Sequence, residues 1–312
     1  MHGWIILDKP YGMGSTTAVS AVKRILRQAG HGKIKTGHGG TLDPLATGVL
    51  PIALGEATKL AGRMLDADKG YDFEITFGAE TDTLDVEGQI VATSDVLPTL
   101  VQIEGVLPRF TGPIRQRPPA FSALKVDGKR AYDMARAGEA VELPDREVEV
   151  VTLAVRPEQS RGTCLDALNT NGIASITLSA SVSKGTYIRS LARDIAHALG
   201  TVGHVTMLRR TKAGPFALNQ TISLDFLEEA ARCGTLADIM LPIRTALADI
   251  PVLALTRDEA ADLKLGRWIW RDEAPDGLHF AQLEKLPVAL VNAASGEIRV
   301  ERGFNIEPDV GD

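Results

Sequence analysis

A glycine- and proline-rich stretch from Gly37 to Pro51 constrains this chain more than any other segment. It places Asp43, the only acid between Lys9 and Glu56, among glycines, prolines and aliphatic residues. A carboxylate in such surroundings loses hydration, so it must find a cationic partner, become protonated, or stay at the surface as a turn residue. A cationic partner would make Asp43 a usable nucleophile, whereas an isolated Asp-Pro favours an ordinary turn. The rest of the chain must supply that partner.

Size and hydrophobicity predict a large buried core. The chain has 312 residues, of which 44% are hydrophobic, and this favours two domains. No run approaches the roughly 18 apolar residues that span a bilayer, and the first residues lack a signal-peptide layout, so we expect a cytoplasmic protein. Cys164 and Cys233 stand far apart and belong to no Cys/His cluster. Neither a disulfide framework nor a metal site is predicted.

The net charge of −6 is unevenly distributed along the chain. Residues 246–312 hold 13 acids and 7 bases, whereas residues 1–245 hold 27 of each. Residues 10–42 contain five Lys or Arg and no acid, residues 109–136 contain seven against two acids, and residues 184–212 contain six against one. These three basic blocks could form one phosphate-binding face. Alternatively, each is a solvated surface balanced by the acidic stretch from Asp66 to Glu104.

Hydrophobic periodicity predicts short strands separated by helices and long loops. Strands are predicted at Trp4–Leu7, Tyr71–Phe77, Val148–Val155 and Ala174–Val182. Helices are predicted at Ser15–Ala29, Leu97–Phe110, Ser190–Leu199 and Ser223–Arg232. This order indicates an α+β core around a mixed or antiparallel sheet. From about Ala246 short strands dominate, so a small β domain is predicted there.

Seven stretches, in order along the chain, closely resemble one enzyme family. They are Gly3-Trp4 with Asp8-Lys9-Pro10, Gly37–Lys59, Asp68–Tyr71, Thr81-Asp82-Thr83, Pro118–Lys125, Lys184–Arg189 and His204–Arg210. An isolated G-x-L-D-P is a weak signal, but seven ordered stretches over residues 3–215 are specific. The chain resembles the TruB-type pseudouridine synthases, the bacterial tRNA pseudouridine-55 synthase family.

The resemblance implies a fold and a domain organisation. It implies a pseudouridine synthase fold with a central mixed or antiparallel sheet flanked by helices, and a small C-terminal β domain of PUA-like type. Residues 1–245 would form the catalytic domain, with an insertion at about 110–142 that closes over the T arm, and residues 246–312 the small domain. The tail is acidic from Asp272 to Asp276 and from Glu307 to Asp312. We therefore expect the small domain to help little in RNA binding.

The resemblance also assigns the catalytic residues. The family isomerises the T-loop uridine of tRNA, position 55, and Asp43 matches its nucleophile, which needs no deprotonation at neutral pH. The resemblance leaves open whether Asp43 attacks C1′ of the ribose or C6 of the uracil ring. Arg189 matches the partner that keeps the Asp ionised in a dry pocket. Tyr71 matches the aromatic that lies against the uracil, where its hydroxyl can handle a proton.

Further positions match residues that bind the substrate. His38 resembles the residue that takes the space of the extruded base, because a stacked uridine must be flipped out before reaction. Tyr187 and Leu208 resemble pocket-lining residues. Lys59 and Lys9 would touch the RNA backbone or support the pocket. The expected partner is the T arm of tRNA, bound by a monomer without membrane, metal or cofactor.

Other functions fit the sequence less well. Nucleotide hydrolysis is disfavoured because no G-x-x-x-x-G-K-[ST] occurs. Glycoside hydrolysis is disfavoured because it would need a second acid near the Asp43 motif, and none stands out there in the sequence. A guide-RNA-dependent relative would be expected to carry basic tails and a larger C-terminal domain. The strongest alternative is a non-catalytic tRNA-binding or tRNA-folding protein of the same fold, against which the presence of Asp43, Tyr71 and Arg189 argues.

Overall fold

The structure is a computed structural model that describes residues 1–126, 128–139, 141–156 and 172–307. Cys164 and the last acidic residues, from 308 onward, lie outside the described residues. Cys233 is an exposed free thiol. Among the described helices, none is both long enough and apolar enough to cross a membrane.

Strands and helices alternate along the chain. The strands are β1 Gly3–Lys9, β2 Thr36–His38, β3 Thr47–Leu54, β4 Lys69–Phe77, β5 Ala79–Thr81, β6 Ile90–Thr93, β7 Gly112–Gln116, β8 Lys125–Val126, β9 Lys129–Arg130, β10 Arg146–Val155, β11 Ser175–Val182, β12 Gly203–Ala213, β13 Phe216–Ala217, β14 Val252–Ala254, β15 Ile269–Trp270, β16 Gly277–Leu283, β17 Leu286–Ala294 and β18 Glu297–Gly303. The α-helices are α1 Ser15–Gln28, α2 Ala61–Asp66, α3 Leu100–Val106, α4 Ala131–Arg136, α5 Ile188–Ala198, α6 Leu224–Cys233, α7 Leu236–Ile239 and α8 Arg257–Lys264. The 3₁₀ helices include Gly55–Leu60, Leu107–Phe110, Leu218–Gln220 and Ile243–Leu247.

Two compact units are formed from discontinuous parts of the chain. The first unit contains Met1–Pro44, Val49–Leu65 and Gly214–Asp312, and the second contains Leu45–Gly48 and Asp66–Ala213. Strand β3 therefore begins in the second unit and continues in the first. The predicted domain boundary between residues 245 and 246 stays a prediction.

The second unit is built on a mixed sheet. Its strand order is β12-β4-β11-β10-β7, and each of these neighbours is antiparallel. Thr47 and Gly48, at the start of β3, pair in parallel with Arg209 and Arg210 of β12. The sequence predicted β4, β10 and β11, but it did not predict β7 or β12.

Alternation along β4 separates a buried face from a polar face. Phe73 and Ile75 are fully buried, whereas Asp72 and Glu74 bind polar partners on the opposite face. Helix α5 covers the apolar face with buried residues that include Leu191, Ala192 and Ile195. Because successive side chains of a strand point to opposite faces, this pattern places the core of the unit between β4 and α5.

The first unit joins the start of the chain to its C-terminal part. Strand β1 neighbours β3, and Trp4 N–H donates to the Leu241 carbonyl at 2.8 Å. After residue 250 the chain forms a five-stranded sheet in the order β14-β16-β17-β18-β15. Helix α8 packs on this sheet, and the helix and the sheet share an apolar core. The predicted small β region is thus present, and β16 is a strand that the sequence did not predict.

Candidate active site

The backbone that follows Asp43 is held by the loop between β1 and α1. Lys9 Nζ donates to the Pro44 carbonyl at 3.1 Å, and the Gly12 N–H donates to the same oxygen at 2.9 Å. Lys9 is fully buried, and its ammonium also donates to two carbonyls of its own loop at 3.0 and 2.6 Å. This geometry favours the expected support role of Lys9 over a direct contact with RNA.

The backbone that precedes Asp43 is held by the first residue of α1. The Ser15 hydroxyl accepts from the Leu42 N–H at 2.8 Å and donates to the Leu42 carbonyl at 3.0 Å. Both residues are buried. Asp43 is half-buried and lies between these two attachments. Its position is therefore determined on both sides by the segment from Lys9 to Ser15, which the sequence did not identify as a scaffold.

His38 lies at the end of β2, in a segment where the chain passes close to α2. It is half-buried, and its backbone pairs with Ile52 of β3. A Cβ on Gly39 would lie 2.6 Å from the Cβ of Met64, so a larger residue does not fit there. Among the described residues other than Gly37 and its two chain neighbours, no atom lies within 4 Å of the Cβ position of Gly37. Close packing, rather than a turn, thus requires one of the two glycines that flank His38.

Lys59 is engaged in a network with the end of β18. Its Nζ donates to Glu56 Oε2 at 2.6 Å and to the Gly303 carbonyl at 2.8 Å, while Glu56 Oε2 also accepts from the Asn305 N–H at 2.6 Å. Burial raises the pKa of Glu56, but the hydrogen bonds from Lys59 and Asn305 outweigh burial and hold that pKa below its usual value. This geometry favours a support role for Lys59 within the first unit.

Arg189 is fixed at the start of helix α5 in the second unit. Its Nη1 lies 3.2 Å from Asp85 Oδ2 and donates to the Thr83 carbonyl at 2.7 Å, and its Nη2 donates to the Phe121 carbonyl at 3.0 Å. The residue is only 6% exposed. Such a guanidinium is held in one orientation, as a carboxylate-binding group requires. The expected pairing of Arg189 with Asp43 stays a prediction.

Asp85 is a residue that the sequence reasoning missed. Its Oδ1 accepts from the Thr83 hydroxyl at 2.6 Å and from the Glu87 N–H at 3.0 Å, which orients the carboxylate toward Arg189. Leu84, between Thr83 and Asp85, has φ +63°, an uncommon backbone conformation for a leucine. Asp85 follows the Thr81-Asp82-Thr83 stretch by two residues, and nothing in the sequence distinguishes it from the other acids nearby.

Tyr187 is positioned by a buried glutamine. Gln116 Nε2 donates to the Tyr187 carbonyl at 3.1 Å, and Gln116 Oε1 accepts from the Tyr187 N–H at 2.8 Å. The Ser190 hydroxyl and Arg193 Nη2 both donate to the Arg117 carbonyl, at 2.8 and 3.2 Å. The start of α5 is thus bonded to Gln116 and Arg117, which lie within the predicted T-arm insertion at about 110–142.

Tyr71 and Leu208 lie on neighbouring strands and pack on the same core. Tyr71 of β4 pairs with Arg210 of β12, and Leu208 pairs with Phe73. Both Tyr71 and Leu208 are half-buried beside the apolar cluster under α5. Positions two residues apart share a face of a strand, so the register places Tyr71 and Leu208 diagonally on one face.

A cavity of about 630 Å³ opens in the second unit. Its walls include Thr81, Leu84, Pro118, Ala120 and Leu143. Two of these wall segments adjoin Thr83 and Phe121, whose carbonyls hold Arg189.

The expected site residues are divided between the two units. The second unit contains Tyr71, Tyr187, Arg189 and Leu208, whereas Lys9, His38, Asp43 and Lys59 belong to the first. Within the described residues, no group of His, Cys, Asp or Glu is arranged to hold a metal ion.

Comparison with family models decides the membership of the chain. Residues 23–188 match the model of the TruB family pseudouridylate synthase N-terminal domain, and residues 189–248 match the tRNA pseudouridylate synthase B C-terminal domain. The chain belongs to the TruB family of pseudouridylate synthases. The resemblance seen in the sequence is confirmed, and so is the prediction of an isomerase of the pseudouridine synthase type.

Individual relatives agree with this assignment. The chain is 57% identical over 307 residues to tRNA pseudouridine synthase B of Novosphingobium aromaticivorans, covering 98% of each chain. It is 53% identical to the protein of that name from Zymomonas mobilis, covering 98% of this chain and 96% of the relative. A solved structure described as an H/ACA RNP bound to a substrate RNA containing 2′-deoxyuridine matches with a TM-score of 0.71 and 25% identity, over 98% of this chain and 86% of the other. The predicted fold class is confirmed.

Proposed function

We propose that this protein converts the T-loop uridine of tRNA, position 55, to pseudouridine, with Asp43 as nucleophile. The observation that carries the proposal is the attachment of the backbone on both sides of Asp43, through Pro44 and Leu42. A nucleophile works best when the scaffold fixes it before the substrate arrives. The relatives named tRNA pseudouridine synthase B support the choice of substrate.

The reaction exchanges one glycosidic bond for another. The C1′–N1 bond breaks, the uracil turns, a C1′–C5 bond forms, and C5 gives up its proton while N1 gains one. No electrons are gained or lost overall, so the chemistry calls for no redox cofactor. The Asp43 carboxylate either displaces N1 from C1′ and is displaced in turn as C5 attacks C1′, or adds to C6 and is eliminated after the C1′–C5 bond has formed.

The other site residues have roles around this step. Arg189 keeps Asp43 ionised and oriented, for which its buried and multiply bonded guanidinium is suited. Tyr71 lies against the uracil and handles a proton through its hydroxyl, and Tyr187 and Leu208 line the pocket. His38 takes the place of the uridine that is flipped out of the T loop.

The two lysines and the insertion complete the proposal. Lys9 and Lys59 support the first unit through their bonds to backbone carbonyls. The segment at about 110–142 closes over the T arm of a tRNA bound to a monomer in the cytoplasm. The basic residues of that segment support it, among them Arg130 and Arg136, which both lie within 6 Å of the Tyr132 ring.

A tritium-release assay tests the proposal. We would label a T-arm RNA at C5 of uridine 55 alone, or of a neighbouring uridine, and compare the native protein with Asp43→Asn and the exposed control Asp95→Asn in the presence of a chelator. We expect release only from position 55, by the native and control proteins. Release by Asp43→Asn would remove Asp43 from its role. Tight binding without release from any position would favour the tRNA-folding alternative.

A further inference from the structure

Helix α1 carries a cationic face that the proposed function does not use. Its buried residues, including Ala18, Val22 and Ile25, face the core of the first unit, whereas Lys23, Arg24 and Arg27 are exposed. The loop that follows adds two more exposed cations, Lys33 and Lys35. We call these five residues the α1 cationic surface.

Within the described residues, no acid forms an ion pair with this surface. Residues 10–42 contain no Asp or Glu. In the described part of the chain, none of the five cations forms an ion pair within 4.0 Å, although α6 packs against α1 and carries exposed acids. Cations elsewhere in the first unit, such as Arg63 and Arg271, do pair with acids. A chain with a net charge of −6 thus keeps a patch of positive charge on α1 and the loop that follows it.

The helix dipole explains only part of this pattern. Cations near the C-terminus of a helix are stabilised by its dipole, and Arg27 lies in the last turn of α1. That effect falls off beyond the last turn. Lys33 and Lys35 lie outside the helix, so another reason is needed for the continuous charge.

Helix α1 begins close to the candidate nucleophile. Ser15, the first residue of α1, is bonded to Leu42, the neighbour of Asp43. At about 1.5 Å of rise per residue, Lys23 to Arg27 lie about 12–18 Å along the helix from Ser15. The same rigid element therefore joins the Asp43 loop to the positive charge, and a polynucleotide at Asp43 would extend over such a distance.

We propose that the α1 cationic surface binds backbone phosphates of the RNA whose uridine reaches Asp43. The inference rests on the proposed function for the identity of the RNA as a tRNA. Lysine and arginine contacts to phosphates add affinity through the release of counterions and carry no sequence information. The surface therefore strengthens and orients tRNA binding, while the choice of the uridine is left to the site around Asp43.

A charge-neutralised variant tests the proposal. Lys23→Gln, Arg24→Gln and Arg27→Gln are combined, because glutamine has a helix propensity close to that of lysine and arginine. The matched control combines Arg257→Gln, Lys264→Gln and Lys285→Gln, three exposed cations that change the net charge equally. The dissociation constant of full-length tRNA is measured at a series of KCl concentrations. Circular dichroism checks the folding of each variant.

We expect the slope of log K against log [salt] to become shallower by about 2–3 in the α1 variant, since each phosphate contact contributes about 0.7–0.9. The affinity at about 0.1 M salt should fall at least tenfold. The control should keep the native slope. An unchanged slope in the α1 variant, or an equal change in the control, would overturn the proposal. Tritium release by the native protein tests the proposed function separately.

Discussion

The two hydrogen bonds between Ser15 and Leu42 make a sharp prediction about the Asp43 loop. In Ser15→Ala, the Leu42 N–H and carbonyl both lose their partner while the two positions stay buried. A buried donor left without a partner costs about 1–3 kcal/mol, and the lost bond to the carbonyl adds about 1 kcal/mol. We therefore expect the free energy of unfolding to fall by about 2–4 kcal/mol.

Ser20 offers a control on the same helix. Its exposed hydroxyl donates to the Thr16 carbonyl one turn earlier, a bond that competes with the helix. Ser20→Ala should therefore be neutral, or stabilising by up to about 0.5 kcal/mol, because alanine has the higher helix propensity. The two substitutions remove the same atom, and only Ser15→Ala is expected to destabilise the protein.

Urea unfolding followed by circular dichroism measures the stability of both variants. Single-turnover tritium release measures the effect on Asp43, and we expect Ser15→Ala to slow it at least tenfold, because a misplacement of about 1 Å can lower rates by two orders of magnitude. If Ser15→Ala matched Ser20→Ala in stability, the hydroxyl would not hold Leu42. If it lost stability but kept the native rate, this attachment would not position Asp43.

Three further substitutions test other parts of the structure. Asp85→Asn leaves Arg189 buried without its carboxylate and should lower the unfolding free energy by about 3–5 kcal/mol in urea titrations, whereas Asp82→Asn at the exposed neighbouring acid should change it by less than about 0.5 kcal/mol. Gly39→Ala meets Met64 at 2.6 Å and should lower the melting temperature by several degrees, while Gly37→Ala, whose Cβ position has no described atom within 4 Å apart from its chain neighbours, should not. Burial, reinforced by the charge of Arg210, lowers the pKa of Lys69 to about 8, so the unfolded chain binds more protons between pH 8 and 10.5. The native protein should therefore gain stability with rising pH in that window relative to Lys69→Met. Equal pH profiles of the two proteins in urea titrations would contradict this pKa.

Helices and strands with a clear hydrophobic periodicity could be predicted from the sequence. The predicted helix Ser15–Ala29 corresponds to α1, and the predicted strand Tyr71–Phe77 lies within β4. The central strand β12 was not predicted, because its Met-Leu-Arg-Arg run has no clean alternation and two register shifts interrupt its pairing with β4. Strand β3 was also missed, because its Gly and Pro residues indicate a turn when they are read locally.

Some residues of the candidate site could likewise be predicted from the sequence, and others could not. Asp43 stands out locally, because no other acid lies nearby in the sequence. Asp85 does not, since an acid among other acids becomes informative only once its side chain is known to face Arg189. Lys9 also depends on the fold, because the sequence left open a contact with the RNA backbone or a support role, and only the packed chain shows its ammonium buried against carbonyls.

The sequence by itself determined the family, the amphipathic helices, the uneven distribution of charge and the one acid of the Gly37–Pro51 stretch. These properties depend on residue type and short spacing, so they can be read before folding is known. Only the tertiary structure decided which groups hold the site residues. Arg189 and Thr83 lie 106 residues apart, and Lys9 and Pro44 lie 35 apart. A hydrogen bond requires two atoms within about 3 Å, and only the packed chain brings such distant residues so close.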